Sequence, residues 1–355
     1  MRVGLVLGAG GVLGGAWLTG GLHAIARETG WDPGSADHIV GTSAGSMIGA
    51  IVASGVPPWF MVAHSRGEVF EGLTGPDGRA ASEADRSAGA VFRLHRGLPP
   101  IGPGSLRLGL STLARPLRNT PLALGVGWLP HGFISTESLK DTVRRVVSEG
   151  WVDHPAFWAV AFDYSTGKRV PFGREDSPPA DLADAVAASC AIPGFYRPVK
   201  IGRRLYVDGG VRSASNLDLL RGRGLDLVIC LNPTSTREPR EGAGPIDRVV
   251  AATRAASGRR LGHEARHLRA EGTEVLLIQP VADDLLVMGR NLMSGKRRTE
   301  VIETAERTVA EQLRAPATRE LLSDLPAGEP HKIEQPDGPA SSWPQILPRG
   351  AREAA

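Results

Sequence analysis

The chain has 355 residues, 41% of them hydrophobic and 22% charged, which is the make-up of a globular protein with a sizeable core. Its 41 Lys and Arg against 38 Asp and Glu leave a formal charge of +3, and no basic stripe is interleaved with aromatics, so a nucleic-acid partner is not expected. Two cysteines, Cys190 and Cys230, exclude a disulfide framework and read as free core thiols in apolar surroundings.

Residues 2–7 form the first predicted element, a buried strand. The run Gly8-Ala9-Gly10-Gly11-Val12-Leu13-Gly14 follows, then a helix from about Gly14 to Glu28. Such a glycine run can turn several backbone N–H groups toward an anion. A second strand, His38-Ile39-Val40, enters Gly41-Thr42-Ser43-Ala44-Gly45. The helical run from Ser46 to Ser54 packs Met47, Ile48, Ile51 and Val52, and Gly55-Val56-Pro57-Pro58 stops it. Residues 70–132 differ in character: Glu71 to Gly89 is polar and glycine-rich, and Leu98 to Pro130 mixes Leu, Pro and Gly with Arg107, Arg115 and Arg118. This segment reads as an inserted cap that covers a pocket and is suited to a lipid interface.

Glu137 to Ser148 carries a helix or strand pattern. Ala156 to Asp163 reads as a buried strand, with Lys168 to Phe172 as its hairpin mate after Thr166-Gly167. Leu182 to Cys190 is a short helix, and Leu205-Tyr206-Val207 is a strand that runs into Asp208-Gly209-Gly210. Leu225–Leu231 and Glu274–Gln279 are further buried strands, separated by a charged helix from Pro245 to Glu271, and Thr299–Leu313 is an amphipathic helix. From 315 to 355 the chain is rich in Pro, Glu, Ala and Gly and reads as a poorly ordered tail. Strands alternating with helices imply an α/β fold, a mostly parallel central sheet sandwiched by helices, over residues 1–314.

Gly41-Thr42-Ser43-Ala44-Gly45 is a G-x-S-x-G pentapeptide between a strand and a helix. A serine on so sharp a turn projects its hydroxyl from the top of a sheet, and small flanking residues let neighbouring backbone come close. The following helix aims free N–H groups at the place where negative charge develops during acyl transfer. A Gly/Ser turn that merely joins two elements has the same composition, and Asp208 alone reads as ordinary Asp-Gly turn chemistry. The ordered set of segments distinguishes these readings. The glycine run, the pentapeptide, Ala188-Ser189-Cys190-Ala191-Ile192-Pro193-Gly194-Phe195-Tyr196-Arg197-Pro198 and Asp208-Gly209-Gly210 follow one another along the chain.

This set resembles the patatin-like phospholipase family, over about residues 1–310. The resemblance implies a lipid acyl hydrolase with Ser43 as nucleophile and Asp208 as its base partner. It places the oxyanion loop at Gly10, Gly11 and Val12, with Gly8, Gly14, Gly41, Gly45, Gly209, Gly210 and Pro193 supporting the motifs. A free carboxylate is a poor base for a hydroxyl, so Asp208 is expected in a desolvated site that raises its pKa. One position departs from the pattern: Leu13 stands where the family usually carries Arg or Lys before the last glycine. Phe195 and Tyr196 are candidates for an acyl pocket, although core packing is the commoner role of such aromatics. Asn216 and Asp218 read as loop or helix-start residues.

Other readings fit less well. Gly8-x-Gly10 after a strand suggests a dinucleotide loop, but Leu13 breaks the G-x-G-x-x-G spacing, and Asp32 sits in a Trp-Asp-Pro-Gly turn. A Ser-His-Asp triad needs a late histidine, and His263 and His267 lie four apart on a charged helix while His331 lies in the tail. That helical pair lacks a third ligand in sequence, and neither a metal nor a cofactor is expected. A non-catalytic lipid-binding protein on the same fold is the reading from a different class. The expected partner is a lipid or ester substrate. The N-terminus runs straight into a strand the fold needs, and no apolar run reaches transmembrane length, so a cytoplasmic location with transient contact at a membrane surface is expected.

Overall fold

The computed structural model describes residues 1–67, 92–94, 102–106, 108–109, 125–147, 149–237, 244–326, 332–333 and 341–342. Much of the expected cap, including Glu71 to Gly89, Arg107, Arg115 and Arg118, lies outside the described residues, as does His331. One eight-stranded sheet organises the chain. Its parallel core consists of β1 (Val3–Leu7), β2 (His38–Thr42), β3 (Phe157–Asp163), β7 (Leu227–Leu231) and β8 (Glu274–Ile278), in the order β3-β2-β1-β7-β8. β4 (Arg169–Phe172), β5 (Val199–Ile201) and β6 (Arg204–Asp208) add antiparallel pairings at the β3 end.

β1 and β7 are apolar along their whole length, and β2, β3 and β8 carry polar residues only at their ends, because both faces of the sheet are covered. Val3, Leu5 and Leu7 of β1, with Leu227, Ile229 and Leu231 of β7, face a large cluster. This layer contains α1 (Gly11–Thr29), α2 (Ala44–Ala53), α3 (Pro58–Arg66), α4 (Glu137–Arg144), α5 (Leu182–Ser189), α7 (Ala282–Met288) and α8 (Arg298–Arg314). The intervening residues Val6, Val40, Val228 and Cys230 face α6 (Pro245–Ala270) through Leu261, Ala265 and Leu268. That alternation is the period-two consequence of the pleat. α1 approaches α8 so closely that a Cβ on Gly20 would stand 2.4 Å from the Ile302 carbonyl oxygen.

Several elements differ from the sequence-based expectation. α2 begins at Ala44, directly after Ser43, rather than at Ser46. α1 begins at Gly11, inside the glycine run. The Pro57-Pro58 stop is also a start, since Pro58 occupies the first turn of α3, where its missing N–H costs no hydrogen bond. The tail expected from residue 315 is structured at its beginning. α9 (Pro316–Leu321) forms there, Leu322 is buried, and Leu321 and Leu325 pack against the main core, so these leucines keep the segment on the body. Lys332–Ile333 pairs antiparallel with Ser341–Ser342. Among the described residues, no single helix is long and apolar enough to cross a membrane.

The described parts of the cap rest beside the β3 end of the sheet. Leu108 and Val126 pack with Phe162, Tyr164, Val207 and Val211, and the Tyr164 hydroxyl donates to the Val126 carbonyl at 2.9 Å. Leu94 bridges to Ile134, which bridges to Tyr196.

Candidate active site

The pairing of β3 brings the site together. Ala159 pairs with Gly41 of β2 and with Phe172 of β4, whereas Ala161 pairs with Val170 of β4 and Asp208 of β6. A strand residue has two edges, so β4 occupies one edge and β2 and β6 share the other. β2 arrives parallel and ends at Thr42 opposite Val160, while β6 arrives antiparallel and ends at Asp208 opposite Ala161. The two strand ends therefore meet head to head, one residue step apart along β3, and Ser43 and Asp208 follow from that step.

Ser43 is 4% exposed and adopts φ 53°, ψ −124°, a strained conformation for a residue with a Cβ. The turn closes only with glycine on both sides. A Cβ on Gly45 would lie 2.0 Å from the Leu7 carbonyl oxygen, and one on Gly41 would lie 2.4 Å from the Ser46 Cα. The Ser43 N–H donates to Ser189 Oγ at 2.9 Å, and Ser189 Oγ donates to the Val160 carbonyl at 2.6 Å. Ser46 Oγ donates to the Ser43 carbonyl at 2.7 Å. These bonds fix the backbone of the elbow and leave the hydroxyl free to face Asp208.

Asp208 is 5% exposed. Burial pushes its pKa up to about 6, opposed by a hydrogen bond from the Ser43 hydroxyl and by the Gly210 N–H. Gly210 N–H donates to Asp208 Oδ1 at 2.7 Å. Gly209 lies against Val160, where a Cβ would stand 2.4 Å from the carbonyl oxygen, and Gly210 lies beside Ala9 of the glycine run. Among the described residues, no hydrogen bond joins a histidine to Ser43 or Asp208. His263 and His267 face each other on α6, with 3.1 Å between their Nε2 atoms, and among the described residues no group of three or more His, Cys, Asp and Glu is placed to hold a metal.

The glycine run closes the third side. Gly8 N–H donates to Leu231 O, Ala9 N–H to Ala214 O, Leu13 N–H to Leu292 O and Gly14 N–H to Gly10 O, all within 2.8–3.0 Å. Among the described residues, the N–H groups of Gly10, Gly11 and Val12 have no partner. Gly11 has φ 62°, and a Cβ there would meet Met293 Sδ at 2.9 Å. Gly8 lies against Asn232, and Gly10 and Gly14 lie against Pro233. α1 and α2 point their N-termini into this space, and neither carries an acidic residue in its first turn. Their positive ends are thus left for a ligand anion. Leu13 is 1% exposed and packs in the main core.

The block around Pro193 forms the neighbouring wall. Phe195 N–H donates to Ile192 O at 3.1 Å, and Ile192 N–H donates to Cys190 O at 2.8 Å. Tyr196 is buried, and its ring meets that of Phe195 edge-on at 4.9 Å, so both serve core packing. Cys190 Sγ lies 3.8 Å from Ser46 Oγ, and burial pushes its thiol up, which keeps it protonated and unreactive.

Two supporting residues were not singled out by sequence. Ser189 has the bridging role just described, for which Ala188-Ser189 offers no local signal. Asn216, read as a loop residue, is fully buried with φ 52°, and its Nδ2 donates to Thr42 Oγ1 at 3.0 Å and to Ser213 O at 2.7 Å. Arg169 donates to Asn216 Oδ1 and grips Asp218 with both terminal nitrogens, so this segment props the strand end beneath Ser43.

Comparison with known proteins places the same segments in one family. The patatin-like phospholipase model matches residues 5–221. Uncharacterized NTE family proteins of Mycobacterium bovis and of two Mycobacterium tuberculosis strains are 31% identical over 133 residues, covering 35% of this chain. The match spans 36% of the length of these relatives. VipD from Legionella pneumophila superposes with a TM-score of 0.41 and 14% identity, over 91% of this chain and 67% of that one. The matched region runs from β1 through the glycine run, the Ser43 elbow and Asp208, and on that extent the chain belongs to the patatin-like phospholipase family.

Proposed function

We propose that the protein is a serine acyl hydrolase that cleaves carboxylic ester bonds of phospholipids or related lipids, with Ser43 as nucleophile and Asp208 as its base. The observation that carries this reading is the hydroxyl of a strained Ser43 hydrogen-bonded to a buried carboxylate beside three N–H groups that have no partner among the described residues. As Ser43 Oγ attacks the ester carbonyl carbon, its proton passes to Asp208. The carbonyl π electrons move onto oxygen, and the N–H groups of Gly10, Gly11 and Val12 receive that charge. Collapse of the tetrahedral intermediate breaks the bond to the alcohol, which leaves with the proton from Asp208. Water then attacks the acyl-enzyme and gives its proton to Asp208. The acid departs as Ser43 regains the proton. A carboxyl whose pKa sits near 6 is a stronger base than an ordinary aspartate and is still ionised at neutral pH.

Contact with a lipid surface is supported by the exposed Phe92, Leu94, Leu106, Trp128, Leu129 and Phe133. Two of them lie beside the Pro193 wall: Phe92 meets Phe195 edge-on at 5.5 Å, and a Cβ on Gly194 would lie 3.7 Å from Leu129 Cδ1. The test is release of p-nitrophenol from a short-chain ester and of fatty acid from phospholipid vesicles by the wild type, Ser43→Ala and Asp208→Ala. Turnover by the wild type alone, with both variants folded, supports the dyad. Equal behaviour of all three overturns it in favour of a lipid-binding role.

A further inference from the structure

Arg254 of α6 is a cation in an unusual place. It is 8% exposed, and a terminal nitrogen donates to the Pro233 carbonyl at 2.9 Å, its one hydrogen bond among the described residues. No carboxylate pairs with it among the described residues, and burial is what disfavours its charge. A guanidinium keeps its proton under such conditions, so among the described residues the charge persists without a carboxylate counter-ion. Pro233 directly follows Asn232 at the end of β7, and its ring is packed under the glycine run. A Cβ on Gly10 would stand 2.9 Å from Pro233 Cβ, and one on Gly14 would stand 3.2 Å from it. Pro233 thus links Arg254, which holds its carbonyl, to Gly10 and Gly14, which lie against its ring.

The loop itself has no positive charge of its own, because Leu13 is an apolar core residue. We propose that Arg254 is the positioning residue of the oxyanion loop: it clamps Pro233 beneath Gly10 and Gly14 and supplies, from a different helix, the positive charge that meets the oxyanion. The guanidinium acts through Pro233 and through its field, without touching the substrate. A buried charge that no described carboxylate neutralises is stabilised by an anion nearby, and the anion formed during acyl transfer supplies one. Pro233 and Arg254 lie beyond residues 5–221, the span matched by the family model.

This inference rests on the acyl-hydrolase reading, and its test separates the two. Arg254→Met and Arg254→Lys are compared with the full-length wild type on a soluble p-nitrophenyl ester, with kcat and KM measured separately. The rate of covalent inactivation by a fluorophosphonate is measured in parallel. Because it removes a buried charge beside the oxyanion loop, Arg254→Met is expected to lower kcat and the phosphonylation rate about tenfold with KM nearly unchanged, and Arg254→Lys to restore most of both. Pro233→Ala, which leaves the charge but removes the ring beneath the loop, is expected to lower kcat as well and serves if the Met variant does not fold. Unchanged kcat in a folded Arg254→Met or Pro233→Ala protein overturns the proposal, as does an equal loss in the Lys and Met variants. Absence of turnover in the wild type overturns instead the reading on which it rests.

Discussion

Asp208→Asn is expected to stabilise the protein while abolishing its activity, and the stabilisation should depend on pH. Burial lifts the Asp208 pKa from 3.8 to about 6. The folded state therefore holds this proton between pH 4 and 6 while the unfolded chain releases it, and the fold loses stability as pH rises through that window. Two pKa units at about 1.4 kcal/mol each amount to roughly 3 kcal/mol lost above pH 6. Asn has the same shape, cannot ionise, and still offers Oδ1 to the Gly210 N–H that now bonds at 2.7 Å. The variant should match the wild type within about 1 kcal/mol near pH 4 and exceed it by roughly 2–3 kcal/mol at pH 8. Urea denaturation of both proteins at a series of pH values measures the difference, in which the other titrating groups cancel. A difference that stays flat across pH, or a variant less stable at pH 8 than at pH 4 relative to wild type, would refute the claim that Asp208 is a desolvated carboxylate.

Three further outcomes follow from the same geometry. The logarithm of kcat/KM on a soluble ester should rise with unit slope up to about pH 6 and level off above it, because only ionised Asp208 accepts the Ser43 proton; a limb near pH 4, where an ordinary carboxylate titrates, would remove Asp208 from that role. Gly45→Ala drives a Cβ to 2.0 Å from the Leu7 carbonyl oxygen, a backbone atom that cannot swing away, so stability should fall by about 3 kcal/mol or more, with a sharp drop in soluble expression and Tm; wild-type Tm would show that the elbow is loose. Ser189→Ala leaves the buried Ser43 N–H without an acceptor, which should cost about 1–3 kcal/mol and lower kcat more than it raises KM; loss of stability with unchanged kcat would show that the elbow is held by its glycines alone.

The fold was legible in sequence wherever the signal was local. β1, β3, β7 and β8 are short apolar runs bounded by glycine or polar turns, and α8 has an apolar stripe at helical spacing. α3 was hidden because Pro57-Pro58 reads as a stop, although Pro is also at home in a first helical turn. Ser43 stood out because the elbow demands small residues at fixed offsets. Asp208 did not stand out by itself, since its meeting with Ser43 depends on β2 and β6 sharing one edge of β3, and edge sharing leaves no trace in either strand. The buried polar supports were illegible for the same reason. Ser189 lies 146 positions from the N–H it accepts, and Asn216 lies 174 positions from Thr42. Each is an ordinary loop or helix residue until tertiary packing gives it a partner.

In the proposed reaction Ser43 forms the covalent intermediate. The most direct test of this step is treatment of the wild type with a fluorophosphonate, followed by peptide mass spectrometry and by the residual rate of ester hydrolysis. One phosphonyl group per chain is expected, located on Ser43, with hydrolysis lost in proportion to labelling and no adduct on Ser43→Ala. Labelling at another serine, or undiminished hydrolysis after Ser43 is fully modified, would contradict it.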